Sequence, residues 1–111
     1  MAKPSVYIET TIPSYVVARP NRDMIISANQ QITREWWESR RFEFKLFVSE
    51  VVRQEIQRGD AAMAIKRAEL ISDIPVLVRN ERVGQLIRIY NDSLGLPLDA
   101  AADIAHISYA V

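Results

Sequence analysis

Two rhythms of apolar and polar positions run along this chain. Three short runs are rich in Val, Ile, Leu or aromatic residues and have the length of buried strands: Ser5–Glu9 (SVYIE), Lys45–Ser49 (KLFVS) and Pro75–Val78 (PVLV). Elsewhere the apolar residues recur at helical spacing. A long helix opens at Pro20-Asn21, with Asn21 as its expected N-cap, Asp23 in its first turn and Ile25, Ala28, Ile32 and Trp36 along one face. A second runs from about Glu50 to Arg58 and stops at Gly59. Asp60 caps a third, with Ala64, Ala68 and Ile71 as its apolar stripe. Val83, Leu86, Ile87, Tyr90 and Leu94 mark a fourth that ends near Gly95, and Asp99 caps a fifth containing AADIAHISYAV.

Strands separated by helices of this length cannot be hairpins and are expected to pair in parallel through right-handed crossovers. The expected fold class is therefore α/β, a sandwich built on a parallel sheet. No repeat or Gly/Ser linker interrupts the pattern, and 111 residues suit a single domain.

Composition narrows the chemistry. The chain has 14 Lys+Arg against 14 Asp+Glu, which excludes a uniformly basic nucleic-acid coat while leaving room for a local basic groove. Without cysteine there is no disulfide scaffold, thiolate zinc site or cysteine nucleophile. The opening MAKPSVYIE lacks the apolar run of a signal peptide, and no stretch approaches a membrane span, so a cytoplasmic domain is expected. Phosphate-loop, dinucleotide, zinc-protease and nucleophile-elbow motifs are all absent. A carboxylate cluster is what remains.

In open parallel sheets, ligands gather at the carboxyl ends of the strands. Glu9 closes the first run with Thr10 and Thr11 directly after it, which suits a hard cation or, more simply, a solvated strand-end charge. Ser49 closes the second run. Glu50 and Glu55 follow on different faces of one helix; Glu50 suits the helix dipole, whereas Glu55 borders the apolar side. Glu55 is either a site acid or a surface partner of Arg53 or Arg58. Asp103 lies among alanines with His106 three residues on and expected on the same face. These two read either as a metal ligand with a nearby imidazole, or as a first-turn dipole charge and a hydrogen-bonded core histidine. Of the central basic residues, Arg53 and Arg58 are the expected RNA contacts, the alternative being a solvated, salt-bridged helix surface, and Trp36 and Trp37 offer either base stacking or a core or dimer contact.

Three segments, VYIETTIPSY, VSEVVRQEI and LPLDAAADIAHISYAV, together resemble PIN-domain ribonucleases, above all the VapC-type toxins of toxin–antitoxin pairs. The resemblance implies a three-layer α/β sandwich with a central parallel sheet. It makes Glu9, Glu55 and Asp103 the acidic ligands of Mg²⁺ or Mn²⁺, with Thr10, Thr11, Ser49 and His106 in support. The implied activity is endoribonuclease cleavage by a metal-activated water, and the implied partners are RNA, a cognate antitoxin and a second copy in a homodimer. Clustered carboxylates repel one another, and a divalent cation relieves that repulsion. The chain departs from the family at Glu9, where Asp is usual. It also lacks a counterpart of the family's last strand and fourth acid, so residues 1–111 are expected to be a C-terminally incomplete PIN-like domain. The alternative is a catalytically incomplete PIN-like module that binds a protein partner.

Overall fold

The computed structural model of this protein describes residues 3–95 and 101–111. Strand β1 (Ser5–Tyr7) leads into helix α1 (Thr11–Val17) and then α2 (Met24–Ser39). A single 3₁₀ turn (Arg41–Glu43) enters β2 (Lys45–Ser49), which passes directly into α3 (Glu50–Glu55) and α4 (Ala61–Leu70). After β3 (Val76–Leu77) come α5 (Glu81–Leu94) and α6 (Ala101–Ala110). None of these helices is long and apolar enough to cross a membrane.

The fold is α/β, with an open sheet in the order β1-β2-β3 and both pairings parallel. Val6 stands beside Leu46, Tyr7 beside Phe47, and Val48 beside Val76. Because side chains alternate across a sheet, this register separates two faces. On one face Ile8, Val48 and Val76 pack with Trp37 of α2, Val52 and Ile56 at α3, and Ile71 and Ile74 after α4. On the other, Tyr7 and Phe47 turn toward α6, where Ile104, Ser108 and Tyr109 are buried. Burying a Val or Ile side chain contributes about 1.5–3 kcal/mol. Ile8, Val48 and Val52, each at most 1% exposed, anchor the sheet to its helices.

The strands are shorter than expected at both edges: β1 ends at Tyr7 rather than Glu9, and β3 spans Val76–Leu77 alone. Central β2 matches its expected limits. Asp60 caps α4 by accepting from Ala62 N–H at 3.1 Å, and Gly95 ends α5 in a left-handed conformation, φ 57°. The expected Asp99 cap lies outside the described residues.

Helix α2 corrects the expected pattern twice. Its N-cap is Asp23, whose Oδ1 accepts from Ile25 and Ile26 N–H, while Asn21 forms the turn before it by accepting from Asp23 N–H. Its inward face is also different: Ile25 and Ile32 are 74% and 63% exposed, whereas Gln30 and Trp37 are buried. The cause is polar. Gln30 accepts from Asn21 N–H and donates to Arg19 C=O, and the Arg34 guanidinium donates to the Val16 and Ala18 carbonyls as α1 ends. These carbonyls lack helical partners of their own, so satisfying them sets the rotation of α2. Apolar periodicity also gives no helix before Pro20, yet Thr11–Val17 forms α1, with Pro13 in its first turn where no N–H is needed.

Candidate functional site

Tyr7 and Ser49 meet at the carboxyl ends of β1 and β2. Tyr7 stands opposite Phe47, so Ser49, two residues further along β2, projects from the same face. Tyr7 Oη and Ser49 Oγ are 2.8 Å apart. Ser49 is fully buried, and its Oγ also receives a long contact of 3.5 Å from Val52 N–H as α3 begins.

His106 reaches this pair from α6. Its Nδ1 lies 2.7 Å from Tyr7 Oη, and the two rings meet edge to face with centroids 5.7 Å apart. Its Nε2 lies 2.5 Å from Glu55 Oε1. Thr10 Oγ1, in the turn between β1 and α1, donates to that same carboxylate oxygen at 2.6 Å. Ser49, Tyr7, His106, Glu55 and Thr10 therefore form one continuous hydrogen-bonded chain.

Local sequence explains each position. Helix α3 turns Val52 and Ile56 into the core, which sets Glu55 at the border of the buried face. Glu50, at the other end of α3, is exposed in the first turn, where its charge suits the helix dipole. On α6, Ile104 and Ser108 are buried, and the phase that buries them carries His106 inward to 9% exposure.

Glu9 lies just beyond β1, half-buried, and its Oε1 accepts from Thr11 N–H at 2.9 Å. Its charge acts on the same phenol as that of Glu55. Burial is the main cause that pushes the Tyr7 hydroxyl up to about 12; the Ser49 hydrogen bond opposes this, and the negative charges of Glu55 and Glu9 add to it. Tyr7 therefore stays neutral and keeps a proton to donate.

The structure thus brings Glu55, Thr10, Ser49 and His106 into one network with Glu9 alongside. Asp103 stands apart from the expectation that it shares a face with His106: it is exposed in the first turn of α6, while His106 turns inward to Tyr7 and Glu55. Among the described residues, no three Asp, Glu or His side chains are grouped so as to hold a metal ion. The Thr11 side chain is exposed. Arg53 and Arg58 are exposed outside the network, and the Arg58 carbonyl is held by Arg67. Trp37 belongs to the core and Trp36 packs against Phe44, so neither ring is at the site.

No protein-family model, no curated protein and no solved structure matches this chain.

The residue that sequence reasoning misses is Tyr7. A tyrosine inside an apolar run reads as core, and only the β1–β2 register puts its hydroxyl beside Ser49. A usable signal was present: a buried tyrosine hydroxyl needs a partner, and Ser49 closes the neighbouring strand.

Proposed function

We propose that this protein is a cytoplasmic metal-dependent endoribonuclease of the PIN type, a three-layer α/β toxin paired with a cognate antitoxin. One observation carries the reading. Residues from all three quoted segments converge at the carboxyl ends of β1 and β2: Tyr7 and Thr10 from the first, Ser49 and Glu55 from the second, His106 from the third. That end of a parallel sheet is where ligands bind.

The donor set fits a hard cation. Mg²⁺ is commonly held by one or two carboxylates, with water and substrate phosphate completing its shell, so a closed cage of protein ligands is not required. Glu9 and Glu55 supply those carboxylates. Thr10, next to Glu9 in sequence, ties Glu55 to the end of β1. Asp103, one turn before His106, is the third acid of the reading. When bound, Mg²⁺ or Mn²⁺ supplies a Lewis acid that lowers the pKa of a water and offsets charge on phosphate oxygens.

The chain's own residues do the rest. Thr10 and His106 hold Glu55 in one orientation, Thr11 N–H holds Glu9, and Ser49 supports Tyr7. Arg53 and Arg58 are exposed cations on and just after α3, available to RNA phosphates. On this reading the antitoxin covers the exposed face of α2, and a second copy completes a homodimer. Metal-dependent cleavage of RNA tests the reading: activity restored to the metal-stripped protein by Mg²⁺ or Mn²⁺ supports it, and no cleavage with either ion rejects it.

A second reading, a catalytically incomplete PIN-like interaction module, is favoured by α2. Its Met24, Ile25 and Ile32 side chains are largely exposed, and such apolar residues suit a protein partner. Partner binding without RNA cleavage would select it.

A further inference from the structure

Donor and acceptor arithmetic along the network leaves little freedom. Ser49 Oγ takes the Val52 N–H contact and has one proton to give, and Tyr7 also has one. Glu55 Oε1 takes the Thr10 proton at 2.6 Å and needs a second donor for its 2.5 Å contact with His106 Nε2. With a neutral imidazole, both constraints are met when every bond points the same way. Ser49 donates to Tyr7, Tyr7 donates to His106 Nδ1, and His106 Nε2–H donates to Glu55.

We propose that Tyr7 and His106 are positioning residues for Glu55: Tyr7 locks neutral His106 in the tautomer protonated at Nε2, and that N–H, with Thr10, commits Oε1 and presents Oε2 to the site. The proposal rests on the reading of Glu55 as a cation-binding acid. Its physical basis is general. A carboxylate held by one oxygen has a fixed plane, whereas an unheld one samples rotamers and loses affinity for any cation it must meet. Tyr7 suits the task because it is half-buried with its hydroxyl 2.8 Å from Ser49 Oγ and 2.7 Å from His106 Nδ1. The imidazole lies against the Tyr7 ring edge to face, which restricts its rotation as well as its protonation.

His106 is the chain's single histidine, so one imidazole gives the whole signal. The experiment is long-range ¹H–¹⁵N correlation on the full chain at mildly alkaline pH, without metal. The expected wild-type pattern is a protonated Nε2 and an unprotonated, hydrogen-bonded Nδ1. Tyr7→Phe should shift His106 toward a tautomer mixture and weaken Mn²⁺ binding, read by paramagnetic relaxation, by about 10-fold. A wild-type imidazole protonated at Nδ1, or averaged between tautomers, would overturn the proposal, and this reading needs no variant to fold. An unchanged tautomer in Tyr7→Phe would overturn it too. Glu55→Gln separates the two ideas: Mn²⁺ affinity unchanged in that variant rejects the cation reading, while the wild-type tautomer still decides the role of Tyr7.

Discussion

Tyr7 Oη and His106 Nδ1 lie 2.7 Å apart although 99 positions separate them in sequence. That contact joins the sheet to α6 and connects Ser49 on one side to Glu55 on the other. Its consequences reach both stability and chemistry.

His106→Ala should destabilise the fold by about 1–3 kcal/mol, because it removes one of the two partners of the Tyr7 hydroxyl and a donor from Glu55 in a partly buried setting. Urea unfolding measures this. A loss below a few tenths of a kcal/mol would mean that water replaces the imidazole without cost.

The Tyr7 hydroxyl gives a pH prediction with a definite sign. Its folded value, pushed up to about 12, lies above the ordinary value of 10.0, so folding favours the protonated phenol. The resulting stability is fully present below about pH 10 and is lost as pH rises from there through 12. Tyr109 is raised as well, mainly by burial, and contributes in the same direction. Tyr7→Phe should therefore flatten part of the alkaline loss. Parallel pH–stability curves for wild type and variant, offset by a constant, would contradict this.

For chemistry, Glu55→Gln should abolish metal-dependent RNA cleavage, whereas Glu50→Gln should leave it near wild type. The two acids sit at opposite ends of α3, and Glu55 alone of the pair enters the network. Equal losses would show that the network is not the reacting centre. In thermal unfolding, Asp103→Asn should reduce the rise in Tm that Mg²⁺ or Mn²⁺ produces; an unchanged shift removes Asp103 from the ligand set.

The rotation of α2 is testable by contrast. Ile32→Ser on its exposed face should change stability by less than about 0.5 kcal/mol. Gln30→Ala should cost more, about 1–3 kcal/mol, because it leaves the Arg19 carbonyl and Asn21 N–H without their partner. The reverse order would restore the apolar periodicity as the guide to this helix.

That helix marks where the sequence stops being sufficient. The limits of β2, the caps at Asp60 and Gly95 and the parallel order could be read from it, because local chemistry decides each one. The phase of α2 could not, since it depends on how the end of α1 presents its carbonyls to Gln30 and Arg34. The site divides in the same way. Glu55 and His106 stand out as an acid beside an apolar face and a lone imidazole among alanines. Their meeting is a tertiary fact, as is the place of Tyr7 between His106 and Ser49. The expectation for Asp103 followed helical spacing from His106, but burial of Ile104 and Ser108 rotates the imidazole inward and leaves the carboxylate outside.

The long reach between Tyr7 and His106 also has a meaning in time. Closing a loop of nearly a hundred residues carries an entropic cost that short-range helices avoid, and contacts of such high sequence separation slow folding. The β1–β2 pairing needs about forty residues of chain, but the network needs α6. On the ribosome, a nascent chain that has not yet released α6 leaves Glu55 without its imidazole. The same contact that organises the finished site therefore keeps it unassembled until His106 has emerged.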